Sequence, residues 1–303
     1  MSLPQVSVII CSRNRPGFLL EAIQSVLKGD EIPGELVVVD QSDVASDVLL
    51  TMDAGEGCPI RYLWSPSRGV SRGRNTGLRT AKGDVVAFTD DDVLVDRAWL
   101  GALVRPLVPS NRRSISTGRV LPLPRAEGGI GAPTLVLSET PAEYRGRIAR
   151  DVLQAGNMAL FRDVLLEMEG FDERLGPGTE FPAGEDNDLG FRLLSAGCVI
   201  YYQPEAVIYH REWRQATEYV PLRWRYGIGQ GAYYAKHLKQ TGGYMLGRLL
   251  RLIWRHSVLA LRRAPRDPLA AAGHLVYIAG LFTGASKWWS RGAAGRGKPW
   301  QPH

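Results

Sequence analysis

Short runs of β-branched and aliphatic residues that each end on a polar or acidic side chain constrain this chain more than any other feature. Val6-Ser-Val-Ile-Ile-Cys11 leads into Ser12-Arg13, Glu35-Leu-Val-Val-Val-Asp40 closes on an acid, and Val85-Val-Ala-Phe-Thr89 is followed by Asp90-Asp91-Asp92. Continuous rather than alternating apolar runs mark strands covered on both faces. Ile60 to Trp64 reads as one more strand, and the stretches between strands carry helical signals, Phe18 to Leu27 after the Arg15-Pro16-Gly17 break and Val70 to Ala81. Strands alternating with helices imply an α/β fold, a mostly parallel sheet with helices on both faces. Ligands of such sheets gather at the carboxyl ends of the strands, where Asp40 and the three consecutive aspartates fall.

From Trp99 to Arg150 the pattern breaks at Pro106, Pro109, Pro122, Pro124, Gly128-Gly129 and Pro133, which predicts loop-rich structure on the substrate side. Order is expected again with a strand over Asn157 to Phe161, a short helix near Val164 to Met168, a glycine-rich loop from Gly170 to Gly184, and a helix from Glu185 to Ser195. Two more strands, Val199 to Tyr202 and Ala206 to Tyr209, end at His210, and the remainder reads as helical. The expected division is a catalytic domain over 1–215, nucleotide-binding over about 1–100 and acceptor-side over 101–215, with a helical basic extension over 216–303. Gly69, Gly73 and Gly77, like Gly227, Gly229 and Gly231, read as packing or hinge glycines, because neither set has the setting of a dinucleotide fingerprint.

The 303 residues are 45% apolar and 22% charged, the range of a globular protein. Cys11, Cys58 and Cys198 are too few and too scattered for a disulfide framework, and a reducing compartment is the simpler expectation. No charged segment precedes the first apolar run, which is strand length, so no signal peptide is read there. The net charge of +6 is unevenly spread: ten Lys and Arg and one acid lie from Tyr244 onward. A basic tail on a mildly acidic body predicts an anionic partner for the tail.

Asp90-Asp91-Asp92 places three carboxylates side by side, an arrangement that needs a cation or a set of donors to neutralise it. Hard oxygen ligands favour Mg²⁺ or Mn²⁺, whose natural companion is a diphosphate. The same run also suits an acidic turn capping a helix near Arg97. Glu185, Asp186 and Asp188 fit a helix start equally as macrodipole partners and as a general base delivered by the preceding loop. His210 at a strand end is by itself as compatible with a structural role as with a ligand.

The ordered set Val6 to Arg15, Leu36 to Asp40, Arg68 to Gly77, Gly83 to Asp92 and Gly184-Glu185-Asp186 resembles glycosyltransferase family 2, whose members have the GT-A fold. The resemblance covers about residues 5 to 211. It implies that Ser12 and Arg13 meet the base, that Asp40 reads the base or ribose, and that Asp90 and Asp91 lie in the nucleotide site together with Arg74. It further implies Asp92, His210 and Asp90 as ligands of Mn²⁺ or Mg²⁺ and Asp186 as catalytic base. The implied reaction is an inverting transfer from a nucleotide diphosphate sugar, a UDP-sugar first and GDP or dTDP as alternatives, to a glycan, a lipid-linked or another small acceptor. The alternative is a catalytically inactive, membrane-attached protein that keeps the nucleotide-sugar pocket. Arg13 replaces the aromatic common at the family's base-binding loop, and the Gln-x-x-Arg-Trp pattern of processive synthases is not seen around Trp224, which points to single addition.

Between Tyr244 and Arg263, Arg248, Arg251, Arg255 and Arg262 fall within about 60° of one another on a helix, opposite a broad apolar face. That suits an interfacial helix, or an ordinary helix docked on the body. Leu269 to Ser286 carries no formal charge and would span about 27 Å as a helix, with Lys287-Trp288-Trp289-Ser290-Arg291 as an interface anchor. Monotopic attachment over 244–291 to an anionic membrane, on its cytoplasmic face, is favoured over spanning. Nothing beyond charge points to nucleic acid.

Overall fold

The structure is a computed structural model that describes residues 5–50, 57–107, 112–123, 135–211 and 216–292. Its first half follows the sequence closely. Strand β1 (Val6–Ser12) is followed by α1 (Pro16–Leu27), β2 (Glu35–Asp40), the single turn α2 (Asp47–Leu50), β3 (Ile60–Trp64), α3 (Val70–Thr80) and β4 (Val85–Asp90). Pro16 opens α1 because a first-turn residue has no intrahelical use for an N–H. Every residue of β1 and β2 is buried, as strands covered on both faces must be. Helix α3 reaches the sheet through its glycines, since a methyl group at Gly77 would overlap the Ile9 side chain and one at Gly73 would press on Cys11 and Gln41.

The region from Trp99 to Arg150 is more regular than its prolines suggest. After strand β5 (Val93–Val95), helix α4 (Trp99–Val104), strand β6 (Ser114–Pro122) and strand β7 (Ala142–Arg145) occupy it. Pro106 sits in a 3₁₀ turn after α4, and Pro122 is the last residue of β6, so these prolines bound elements instead of breaking them. Pro109, Pro124, Gly128, Gly129 and Pro133 lie outside the described residues. Next come β8 (Asn157–Phe161), α5 (Arg162–Glu167), α6 (Glu185–Ser195) and β9 (Val199–His210). The two expected strands after Val199 are therefore one, with a register shift opposite Gly118 and Arg119 of β6.

The sheet runs β3-β2-β1-β4-β8-β6-β9-β5, with β7 beside β9. Pairs β1–β2, β1–β4, β2–β3 and β6–β9 are parallel, and the others are antiparallel. The order reverses at β1, which has β2 on one side and β4 on the other, and this creates the crevice in which α/β sheets bind ligands.

By contacts the chain forms two units, Met1–Phe171 with Leu189–Trp213, and Asp172–Asp188 with Arg214–His303. The second unit contains helices α7 (Tyr219–Thr241), α8 (Gly243–Arg263) and α9 (Pro268–Gly292). Its core gathers Leu175, Phe181, Ile228, Ala232, Ala235 and Trp288. Helices α7 and α9 touch backbone to backbone: a methyl group at Gly227 would overlap the Tyr277 carbonyl, one at Gly231 the Leu281 carbonyl, and one at Gly284 the Ile228 carbonyl. The glycines of Gly227-Ile-Gly-Gln-Gly231 are thus packing residues. In α8 the expected basic face is split, because Arg248 is buried and donates to the Tyr233 hydroxyl at 3.0 Å. Arg296 and Lys298 lie outside the described residues.

Candidate active site

The parallel register brings the chemistry-bearing strand ends level. Ser12 stands opposite Asp40 and Cys11 opposite Asp90, so one edge of the sheet presents Ser12, Asp40 and the aspartate run together. Asp40 is buried and already fixed: its carboxylate accepts the Ser42 N–H at 2.9 Å and the Tyr62 hydroxyl at 2.6 Å. Ser42 in turn accepts the Asn14 N–H through Oγ at 2.7 Å, and its carbonyl accepts Trp64 Nε1–H at 3.0 Å. The loop after β1 turns on Asn14, which adopts a positive φ of 56° and braces Asp43 from both its amide nitrogen and its amide oxygen. Arg13 points its guanidinium to Asp43 at 2.9 Å at the surface.

The three aspartates have different partners. Asp90 pairs with Arg74 at 2.8 Å. Arg74 is buried, and its guanidinium lies 5.3 Å from the Phe171 ring centroid, so it is not a surface arginine. Asp91 accepts the Ser12 hydroxyl at 2.7 Å and Arg15 Nη1–H at 3.1 Å, and the same Arg15 nitrogen reaches Asp92 at 3.2 Å. Burial, and then the charge of Asp92, push the Asp91 carboxyl up to about 7 although Arg15 and Ser12 act against them. Three carboxylates crowd this strand end, the condition a divalent cation relieves.

His210 arrives there by sheet register. The chain turns back after Asp92 into β5, and Val93 of β5 stands opposite His210 of β9. His210 Nδ1 lies 2.8 Å from the Arg211 carbonyl, which can only accept, so Nδ1 donates there and Nε2 is the ring nitrogen turned toward the aspartates. That Nε2 is 3.7 Å from Asp92 Oδ1. A ring nitrogen facing a carboxylate, with the far nitrogen fixed on a carbonyl, has the orientation of a metal-ligating histidine. Among the described residues no group of three His, Cys, Asp or Glu side chains closes as a ready cage. Asp92 and His210 fit a hard or borderline divalent ion that keeps further positions for a ligand, and Asp90 is held by Arg74 beside them.

Asp186 belongs to the second unit, in the first turn of α6 with Glu185 and Asp188. The loop that carries it is tied down within that unit. Asp188 is fully buried and accepts His237 Nε2–H at 2.7 Å and Lys236 Nζ–H at 2.6 Å, while Asn187 donates to the Gln230 side chain at 2.7 Å. Lys236 also bridges to Asp172 at 2.8 Å. Gly184 has a φ of 89° and packs on the Gly229 backbone.

The reading from residues missed Arg15, Gly156 and His237. Arg15 is the cation shared by Asp91 and Asp92, and its sign beside three acids is the one signal that marks it. Gly156 precedes β8, and any side chain there would overlap the Asp90 carboxylate. His237 sits 49 positions from its partner Asp188, a separation that no local pattern reveals.

Residues 7–123 match the family model described as "Glycosyl transferase family 2". Over this stretch the chain is similar to family 2 glycosyltransferases. The "Pre-mycofactocin glycosyltransferase" of Mycobacterium tuberculosis is 26% identical over 258 residues, 82% of this chain and 52% of that protein. The "Glucosyl-dolichyl phosphate glucuronosyltransferase" of Haloferax volcanii is 26% identical over 235 residues, 71% of this chain and 72% of that protein. The chain thus spans about half the length of the mycobacterial relative. Among solved structures, a mannosyltransferase from Pyrobaculum calidifontis in complex with GDP-Man and Mn²⁺ superposes with a TM-score of 0.56 at 19% identity, covering 97% of this chain and 77% of the other. S. aureus TarS 1-349 in complex with UDP-GlcNAc gives 0.54 at 18% identity, covering 94% and 92%. These neighbours confirm the GT-A fold.

Proposed function

We propose that the protein is a metal-dependent, inverting glycosyltransferase that moves a sugar from a nucleotide diphosphate sugar to an acceptor hydroxyl. The observation that carries this reading is the junction of Asp92 and His210 at the end of β4, beside Asp90 and an Asp91 carboxyl raised by burial and by the charge of Asp92. Ser12, Arg13, Asp40, Arg74, Asp90 and Asp91 form the nucleotide site in this reading, and Asp92, His210 and Asp90 hold Mn²⁺ or Mg²⁺. The ion, when bound, supplies Lewis-acid stabilisation of the charge that builds on the departing diphosphate. Arg15 and Arg74 orient and neutralise the carboxylates around that charge. Asp186 takes the acceptor hydroxyl proton while the hydroxyl oxygen attacks the anomeric carbon from the face opposite the leaving group, and the configuration inverts.

The Mn²⁺ and nucleotide-sugar complexes of the structural neighbours support the donor class, a UDP-sugar or GDP-sugar before dTDP. The dolichyl phosphate in the name of the archaeal relative supports a lipid-linked acceptor. We also propose peripheral attachment through 244–291 to the cytoplasmic face of a membrane. Helix α9 is long and apolar enough to cross a bilayer. Its glycine face, however, is closed against α7, which carries Arg223, Arg225, Lys236 and Lys239, and this favours lying on the membrane over spanning it. Three free, buried cysteines suit a reducing compartment.

The test is the thermal shift of the full chain with UDP, GDP and dTDP, each with and without Mn²⁺, and with Asp92→Ala as control. A ligand at about 100 times its Kd adds roughly 2.7 kcal/mol. A metal-dependent shift with one nucleotide, lost in the control, is expected. No metal-dependent shift with any nucleotide would overturn the donor site. A metal-dependent shift without sugar transfer to any acceptor would favour the inactive binding protein.

A further inference from the structure

Helix α8 shows three sectors where the sequence suggests two. Met245, Arg248, His256 and Ala260 are buried within the second unit. Leu246, Leu250, Trp254 and Leu261 are 45, 56, 70 and 76% exposed, an unusual degree for side chains of this size. At 100° per residue these four fall within about 80° of arc and form a ridge about 22 Å long. Arg251, Arg255 and Arg262 are exposed and cluster within about 40°, displaced about 120° from the centre of the ridge. No acid occurs between Gly243 and Arg263.

We infer that this ridge is the element that embeds in an anionic bilayer, with the arginine row at the depth of the lipid phosphates. The inference rests on the membrane attachment proposed above and assigns it to α8 rather than α9. An apolar ridge flanked on one side by cations matches an interface that changes from hydrocarbon to phosphate over a few ångströms. Arginines beside the ridge lay their aliphatic stems along it and turn their charged heads outward. Tryptophan is the side chain best suited to that boundary. A second copy is the poorer occupant, because pairing two ridges would bring two arginine rows together without a carboxylate on either helix.

The test is co-sedimentation of the full chain at low salt with vesicles of phosphatidylcholine alone or mixed with phosphatidylglycerol. The variants are the double Leu250→Ser/Trp254→Ser, the triple Arg251→Gln/Arg255→Gln/Arg262→Gln, and Phe282→Ser on α9, each checked for unchanged thermal unfolding. The wild type is expected to bind the anionic vesicles preferentially. The ridge double weakens partitioning about tenfold or more, the arginine triple weakens it by roughly 100-fold, and Phe282→Ser leaves it near wild type. A wild type that ignores anionic vesicles overturns the attachment reading and this one with it. A wild type that binds while either α8 variant binds equally well, or while Phe282→Ser alone loses binding, overturns the α8 assignment and leaves attachment standing. A chain that is dimeric without vesicles and monomeric as the ridge double names a second copy as the occupant, which also overturns it.

Discussion

His237 of α7 donates through Nε2 to the fully buried carboxylate of Asp188 at 2.7 Å, two residues beyond the acid proposed as base. Lys236 shares the same carboxylate, so two adjacent α7 residues hold the start of α6 within the second unit. His237→Ala removes one buried hydrogen bond from Asp188 and is expected to lower stability by about 1–3 kcal/mol. Asp188→Ala, which removes the buried carboxylate that Lys236 and His237 share, is expected to cost about 3–5 kcal/mol. Chemical denaturation of both variants checks the ranking, and equal stability of His237→Ala and wild type would show that the clamp carries no load.

Gly156 controls the aspartate run without touching ligand. Any Cβ at that position would overlap the Asp90 carboxylate, which is the acid paired with Arg74. Gly156→Ala is therefore expected to displace Asp90 and abolish most of the Mn²⁺-dependent nucleotide shift, with global unfolding changed by no more than the ~1–3 kcal/mol typical of overpacking. Titration calorimetry with Mn²⁺ and nucleotide reads this directly; wild-type affinity would remove Asp90 from the site.

Asp186→Asn keeps the shape of the side chain and removes its capacity to accept a proton. Transfer is expected to fall by about 10²-fold or more while nucleotide affinity is retained. Rate measurement beside the thermal shift separates the two, and a variant that transfers at the wild-type rate moves the base to another residue.

The nucleotide half of the fold was legible because its physics is local. Continuous apolar strands announce burial on both faces, and their parallel pairing follows from the helices between them, so β2 and β3 were read to the residue. Strand β6 was hidden because its neighbours are set by tertiary pairing and its flanks hold prolines. In the candidate site the acids were visible as a run, and His210 needed the family resemblance. That β5 turns Asp92 toward His210 depends on a three-residue strand, too short to carry a pattern of its own. Arg248 shows the limit of helix arithmetic: its angular position was right, but whether that face meets water or Tyr233 is decided by α7.

A pH dependence follows from the histidine in the helical unit. His256 of α8 is stacked on Tyr277 with ring centroids 4.2 Å apart, and its Nδ1 faces Arg223 at 3.3 Å and His274 Nδ1 at 3.0 Å. Burial, then the charges of Arg223, His274 and Arg255, push its pKa down to about 3. The folded form resists a proton that the unfolded chain accepts near pH 6.5, so the unfolded state binds more protons below that pH. Stability present above pH 6.5 is thus lost as the pH falls toward 3, by up to about 1.4 kcal/mol per pH unit. Denaturation at pH 7.5 and 5.0 checks it: wild type is expected to lose stability over that interval more steeply than His256→Gln. Parallel slopes would show that His256 titrates alike in both states.

The contact between α7 and α9 yields the sharpest stability prediction, because backbone rather than side chain stands in the way. A methyl group at Gly231 would overlap the Leu281 carbonyl, and one at Gly284 the Ile228 carbonyl, and neither obstacle can rotate aside. Alanine is the better helix former by about 1 kcal/mol, so an isolated helix would gain from either change. In the folded chain the helices must separate, and Gly231→Ala or Gly284→Ala is expected to be destabilising by about 1–3 kcal/mol or more despite that gain. Gly247→Ala on α8 meets nothing within 4 Å and keeps the propensity benefit, so it is expected to be neutral or stabilising. Thermal unfolding of the three variants side by side decides the matter. A Gly231→Ala chain as stable as Gly247→Ala would mean that α7 and α9 are not in backbone contact.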